Sequence, residues 1–142
     1  MSRVSEAPSP LADAVARIGD RWTLLVIEAL LDGPRRFGEL ADDVDGIAPN
    51  ILTRRLRHLE EEGLVVARPY SERPRRFAYE LTASGRELGG AISLLAQWAA
   101  PDADHPVSPQ HTACGTPLEA RWYCPTCERA VDGAEASELP FV

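Results

Sequence analysis

The sequence predicts a mainly α-helical domain that carries a small β-hairpin, followed by a small β module near the C-terminal end. Apolar residues recur at helical spacing through residues 11–62, and the period changes to two over residues 64–81. All three cysteines lie within residues 114–127. With 44% apolar and 26% charged residues, the 142-residue chain has the composition of a folded protein.

Turn-forming and apolar residues divide the chain into four segments. We expect a flexible N-terminus at residues 1–10, the helical domain at residues 11–100, a linker at residues 101–110, and the C-terminal module with its tail at residues 111–142.

The first half of the helical domain is predicted to contain three helices. Residues 11–18 form an amphipathic helix, and Asp20 is an N-cap for the next helix, residues 21–31. This second helix is apolar on most of its circumference, so we expect it to be the central buried one. Residues 37–44 form a third, short helix.

The fourth helix lies within Ala48–Glu62 and has two distinct faces. Pro49 suits its first turn. One face is an apolar stripe of Leu52, Leu56 and Leu59. The opposite face carries Asn50, Thr53, Arg54 and Arg57. A short helix, a turn and a helix with a basic outer face form a helix-turn-helix that lies in the major groove of DNA. The alternative is a solvated face paired with nearby glutamates.

Residues 64–81 are predicted to form a hairpin, with its tip at residues 71–74. Arg73, Arg75 and Arg76 lie at the tip and just after it, where they can reach phosphates or the minor groove. They could equally be a charged edge that deters strand pairing. Arg36, at the start of the third helix, is a further candidate phosphate contact.

The net charge of −7 argues against a nucleic-acid partner only at first sight, because an interface responds to the local field. Residues 50–76 contain seven arginines against four glutamates, whereas residues 101–142 contain seven acidic residues against two arginines. The predicted interface is therefore locally positive, and the C-terminal segment holds most of the excess negative charge.

Thr82 is predicted to cap a last long helix that extends to about Ala100. Its apolar face consists of Leu88, Ile92, Leu95 and Trp98. Because the small core already has four helices, this face is a candidate dimer interface. The alternative is that it completes the core of the monomer.

The motifs along residues 11–100 resemble those of the HxlR-type winged helix-turn-helix regulators, which are related to the MarR group. The matching residues are Gly19-Asp20-Arg21-Trp22-Thr23, Gly33-Pro34-Arg35-Arg36-Phe37-Gly38-Glu39-Leu40, Gly46-Ile47, Leu52-Thr53-Arg54-Arg55-Leu56, Leu59-Glu60, Glu62-Gly63-Leu64-Val65, Tyr79-Glu80-Leu81-Thr82, Gly85 and Trp98. The resemblance implies a homodimer on a palindromic operator in double-stranded DNA, without catalysis. An effector of unknown identity is a further candidate partner.

The chain departs from this family in two places. Relatives often carry a cysteine near the start of the first helix, which some use as a sensor, but residues 11–17 contain none. Relatives also tend to place Ser or Thr before the proline of the recognition helix, where this chain has Ala48. The substitution loses about 1 kcal/mol of capping, and we expect tertiary packing to hold the helix.

The C-terminal module carries a second motif, H-x2-C followed after nine residues by C-x2-C. Its members are His111, Cys114, Cys124 and Cys127. Two close ligand pairs at this spacing suit one tetrahedral, structural Zn²⁺ in a module that resembles a small zinc ribbon. So small a segment with few apolar side chains needs such a staple. The alternatives are free thiols, a redox pair at Cys124 and Cys127, or His105 as a substitute ligand.

Other classes of protein are disfavoured. The sequence contains no catalytic triad, phosphate-cradling glycine loop or open metal site, so an enzyme is not expected. It contains neither a signal peptide nor a membrane-length apolar run, which predicts a cytoplasmic location and no membrane partner. The remaining alternative is an interaction or redox module in which the Cys/His segment docks a partner and the winged helix mainly dimerises.

Overall fold

The computed structural model describes residues 9–102 and 107–136, so residues 1–8 of the expected flexible N-terminus, and His105, lie outside the described residues. The chain divides into two compact units between Ile92 and Ser93. This division falls within the last helix, and the boundaries at residues 100 and 110 stay predictions.

The elements follow the predicted order, with mostly helices and a small antiparallel sheet. The helices are α1 (Pro10–Ile18), α2 (Arg21–Leu31), α3 (Phe37–Asp43), α4 (Pro49–Glu61), α5 (Ala83–Glu87) and α6 (Gly89–Ala99). The strands are β1 (Arg35–Arg36), β2 (Val65–Glu72), β3 (Arg75–Leu81), β4 (Trp122–Cys124) and β5 (Arg129–Val131). In the second unit, β4 and β5 form a two-stranded antiparallel sheet.

The first unit has a three-stranded sheet in the order β1-β3-β2. The hairpin of β2 and β3 is the predicted one, although β2 continues to Glu72 and pairs there with Arg75. The tip is therefore narrower than predicted and consists of Arg73 and Pro74, joined by a cis peptide bond. Strand β1 was not predicted, because two residues are too few to show a period of two.

The core forms around α2, as its sequence predicts. Val26, Ile27 and Leu30 of this helix are buried. They belong to one cluster with the leucines of α4 and with side chains of α3, β2, β3 and the turns beside them: Leu40, Val44, Ile47, Leu52, Leu56, Leu59, Leu64, Val65 and Leu81. This cluster fixes how α3, α4 and the hairpin are placed on α2.

The N-terminal caps of α2 and α4 are those predicted from the sequence. The Asp20 carboxylate accepts hydrogen bonds from the backbone N–H groups of Trp22 and Thr23, at 3.0 and 3.1 Å. Ala48 gives α4 no side-chain cap. Burial of three leucines, worth about 1.5–3 kcal/mol each, outweighs the missing cap.

The prediction of one long helix after Thr82 is wrong in one respect, since a turn at Leu88 separates α5 from α6. Thr82 caps α5 as predicted, accepting from the N–H of Gly85. The Leu88 N–H donates to the Gly85 carbonyl oxygen three residues earlier, which tightens the chain at this point. Gly89 and Gly90 follow directly and weaken the continuous helix.

Gly85 lies so close to the backbone of Leu64, the residue before β2, that a methyl group does not fit. A Cβ atom there would lie 2.3 Å from the Leu64 carbonyl oxygen. We expect Gly85→Ala to lower the free energy of unfolding by about 1–3 kcal/mol, measured by urea denaturation. Gly38→Ala is the control, because its Cβ meets no atom within 4 Å. Equal stability of the two variants would contradict this packing.

Asp20 also makes stability depend on pH. Burial alone raises the pKa of Asp20, but hydrogen bonds from Thr23 and Trp22 and the charge of Arg55 outweigh it and hold the pKa below its usual value. A lowered folded-state pKa stabilises the protein above about pH 4, and this contribution is lost as the pH falls through the folded pKa. We therefore expect Asp20→Asn to reduce the free energy of unfolding by about 1 kcal/mol or less at pH 7, because the carboxylate is partly exposed.

Urea titrations of wild type and Asp20→Asn from pH 7 to pH 3 measure this effect. The difference between the two proteins should narrow below pH 4. A difference that is constant over the whole range would assign the loss to capping geometry and not to the charge.

Candidate nucleic-acid interface

The turn between α3 and α4 fixes which face of α4 meets solvent. Val44 and Ile47 of this turn are buried, and Gly46 adopts a positive φ of 79° that permits the change of direction. Leu52, Leu56 and Leu59 of α4 are at most 1% exposed. The predicted DNA-contacting side chains of this helix all lie on its exposed face: Asn50, Thr53, Arg54 and Arg57.

The arginines of α4 differ in what they contact. Arg55 makes an ion pair with Asp20, its Nε lying 3.3 Å from Oδ1. Arg54 and Arg57 make no ion pair with any residue within 9–102 or 107–136. Their charges are therefore available to a partner. Thr53 donates its hydroxyl proton to the Pro49 carbonyl oxygen at 2.9 Å, so its oxygen can still accept.

The C-terminal end of α4 is tied to α1. Nε of Arg17 lies 2.6 Å from the Glu62 carboxylate, and Nε2 of His58 lies 2.6 Å from the Arg17 carbonyl oxygen. His58 is thus a structural residue, as its position beside the leucine stripe suggests. The role of Arg17 was not predicted, because its partners are 41 and 45 residues away along the chain and no short sequence pattern connects them.

The hairpin carries its predicted arginines, Arg73, Arg75 and Arg76, in exposed positions. None of them makes an ion pair within the described part of the chain. Arg68, nearer the core, is paired with Glu80 instead. The free arginines are therefore concentrated towards the tip of the hairpin.

Arg36 connects the start of α3 to the hairpin. Its guanidinium lies over the ring of Tyr70, 4.2 Å from the centroid, and its backbone N–H donates to Glu39 at 2.7 Å. Stacking on an aromatic face leaves the in-plane N–H groups free to bind phosphate. Tyr70 is a positioning residue that the sequence analysis missed, since nothing in the local pattern pairs it with Arg36.

The predicted dimer residues fall into two groups. Leu88 and Ile92 are partly buried and pack against the core of the first unit. In the second unit, Leu95 is 56% exposed and Trp98 is 83% exposed. Two residues of α1, Leu11 and Val15, are also more than half exposed, and the sequence analysis did not include them.

The predicted metal ligands are brought together in pairs. Nδ1 of His111 lies 3.3 Å from Sγ of Cys114, and the backbone nitrogen of Cys127 lies 3.4 Å from Sγ of Cys124. Hydrogen bonding with Thr116 lowers the pKa of Cys114, and N–H groups of Cys127 and Thr126 lower that of Cys124. Within the described residues, no three His, Cys, Asp or Glu side chains are close enough to hold a metal ion.

The helix-turn-helix, the hairpin and the free arginines together define a winged-helix DNA-binding protein. The profile of the HxlR-like helix-turn-helix family matches residues 17–106, and the chain belongs to this family. Its relatives are transcriptional regulators and not enzymes. No helix in the described ranges has the length and apolar character to cross a membrane.

Three similar proteins illustrate the assignment. The chain is 37% identical to Rv3095 of Mycobacterium tuberculosis, described as an uncharacterized HTH-type transcriptional regulator, over 89% of this chain and 82% of that protein. The solved structure of PA1607 superimposes with a TM-score of 0.75 at 30% identity, covering 95% of this chain and 96% of PA1607. The redox regulator HypR in its reduced form matches with a TM-score of 0.61 at 30% identity, covering 66% and 95%.

Proposed function

We propose that the chain binds a palindromic operator as a homodimer, with α4 of each subunit in a major groove and each hairpin beside it. The two half-sites then lie about one helical turn, or roughly 34 Å, apart. The observation that carries the proposal is the contrast within α4, where a fully buried leucine face opposes exposed Arg54 and Arg57. Residues 111–142 form, in this proposal, a separate zinc-ribbon-like module that does not contact DNA.

The arrangement of free charge supports DNA as the partner. Two nearby arginines, Arg55 and Arg68, are paired with acidic residues. Six exposed arginines have no acidic partner within the described residues: Arg36, Arg54, Arg57, Arg73, Arg75 and Arg76. Arginine pairs with phosphate and with the edge of guanine through two parallel hydrogen bonds. The helix residues are the proposed readers of bases, and Arg36 with the hairpin arginines the proposed contacts to the backbone.

The apolar side chains that remain exposed support dimerisation. Leu95 and Trp98 of α6, and Leu11 and Val15 of α1, present apolar surface to solvent. Burial against the same residues of a second subunit recovers about 25 cal/mol for each Å² removed from water. An effector of unknown identity remains part of the proposal as a modulator of this dimer.

A second candidate function rests on the C-terminal module. Trp122 is 65% exposed and Tyr123 is 61% exposed, which is unusual for aromatic side chains. This observation favours an interaction module whose winged helix mainly dimerises. Such a protein would lose no function when the arginines of α4 are removed. Substitution of Arg57, described next, therefore separates the two candidate functions.

Arg57→Ala tests the DNA-reading role of α4. We expect it to weaken binding to the operator by about 1–3 kcal/mol, because a bidentate contact to guanine is worth that much. The operator is found first by footprinting the DNA that flanks the coding region. Affinities for operator and random DNA are then measured by fluorescence anisotropy at several salt concentrations.

Arg121→Ala is the matched control, because it removes the same charge from the C-terminal module and should leave the affinity unchanged. Equal losses by Arg57→Ala on operator and random DNA would limit Arg57 to phosphate neutralisation. An unchanged affinity for both would contradict the proposed interface.

Trp98→Asp tests the dimer. We expect the variant to be monomeric at concentrations where the wild type is dimeric, because a charge at the centre of an apolar interface is left without a partner. Analytical ultracentrifugation measures the mass directly. Trp122→Asp alters another exposed tryptophan, in the C-terminal module, and should remain dimeric. A dimeric Trp98→Asp protein would move the interface away from this end of α6.

A further inference from the structure

Each predicted ligand pair lies at the tip of its own small β-hairpin. In the first hairpin, Gln110 and Pro117 form a β-bridge, and the N–H of His111 donates to the Thr116 carbonyl oxygen at 2.8 Å. In the second, β4 pairs with β5 so that Cys124 lies opposite Arg129. The sequence spacing predicts two close ligand pairs, and the structure adds that each pair lies at the tip of a hairpin.

The two tips share a local conformation. The residue directly after the second ligand has a positive φ in both, 72° at Gly115 and 52° at Glu128. Glu128 is the single non-glycine residue with a positive φ in the described ranges. A left-handed residue turns the following chain back, and it is costly for any residue except glycine. Such a conformation at a glutamate indicates that the turn around Cys124 and Cys127 matters.

The backbone at both tips is folded around the first ligand of the pair. The N–H groups of Cys114 and Gly115 both point to the carbonyl oxygen of His111, at 3.2 and 2.7 Å. In the second hairpin the N–H of Cys127 points to the sulfur of Cys124. This N–H group orients the sulfur of Cys124, as hydrogen bonds around a metal site orient its ligands.

The module lacks the apolar core that would otherwise hold two hairpins together. Within residues 107–136 no residue is buried, and only three are partly buried. The aromatic side chains of β4 are exposed. A segment of this size without a core requires a metal or disulfides to fold, and three cysteines cannot all pair with one another.

We propose that one Zn²⁺ held by His111, Cys114, Cys124 and Cys127 draws the two hairpin tips together, because within the described residues these ligands lie in two separate pairs. Two ligands of one tetrahedral zinc lie about 3.5 Å apart when one is nitrogen and one sulfur, close to the 3.3 Å between His111 and Cys114. Three thiolates and one imidazole complete the coordination, so the site is structural. The inference rests on the proposed separate module and does not depend on DNA binding.

Metal content of the full chain tests the site. Protein purified without added metal should hold one zinc per chain by native mass spectrometry and elemental analysis. His111→Ala should lose at least tenfold in zinc affinity against a competing chelator, whereas His58→Ala, which alters a histidine of the first unit, should retain the wild-type value. Metal-free protein, or full zinc retention by His111→Ala and by all three Cys→Ser variants, would overturn the proposal.

Substitutions after the second ligands test the shared conformation with opposite expected signs. Glu128→Gly should raise zinc affinity by roughly fivefold, because glycine adopts the left-handed conformation without strain. Gly115→Ala should lower it by a similar factor, and strain is the only cause because its Cβ meets no atom within 4 Å. Unchanged zinc affinity in both variants would contradict the role of these turns.

Operator binding is measured on the same proteins. Zinc loss with intact DNA binding would sustain both proposals as independent, and zinc retention without DNA binding would overturn only the proposed function. The visible spectrum of the cobalt-substituted protein reports thiolate ligation separately from folding. Absence of thiolate-to-cobalt absorption would overturn the ligand set.

Discussion

Burial of the leucine face of α4 is the constraint on which the rest of the interface depends. Leu52, Leu56 and Leu59 are almost completely removed from water against a core centred on α2. At about 1.5–3 kcal/mol for each side chain, this burial far exceeds the capping lost at Ala48. Because a helix has only one orientation that buries this stripe, the same burial directs Arg54 and Arg57 outward.

Hydrogen bonds and ion pairs along α4 add to the orientation that burial of its leucines determines. Asp20 caps α2 and pairs with Arg55, so one carboxylate orders the central helix and occupies one arginine of α4. At the other end of α4, Glu62 holds Arg17. Surface pairs of this kind add at most about 1 kcal/mol each. Their main consequence is to determine which arginines stay available to a partner, because Arg55 and Arg17 are occupied by these carboxylates.

Periodic features of the sequence were sufficient for most of the fold, including the bounds of α2 and the two faces of α4. Features that depend on distant partners were not accessible in this way. β1 is two residues long, and it exists because β3 lies beside it. The stacking of Arg36 on Tyr70 joins residues with no shared local pattern. The division between α5 and α6 could have been suspected from Gly89 and Gly90, but helical spacing of the apolar residues continues across it.

The same distinction explains how a protein of net charge −7 has a locally positive surface, the one proposed to bind DNA. Residues 101–142 hold seven acidic residues and two arginines, so most of the excess negative charge belongs to a segment outside the winged helix. Charges separated by more than about 8 Å are largely screened at physiological ionic strength. The field near α4 is therefore governed by the charges close to it, and Arg54 and Arg57 on its exposed face make no ion pair within the described residues. The ion pairs that the arginines near α4 make or lack, and not the net charge of the chain, therefore decide whether this surface attracts a negatively charged partner.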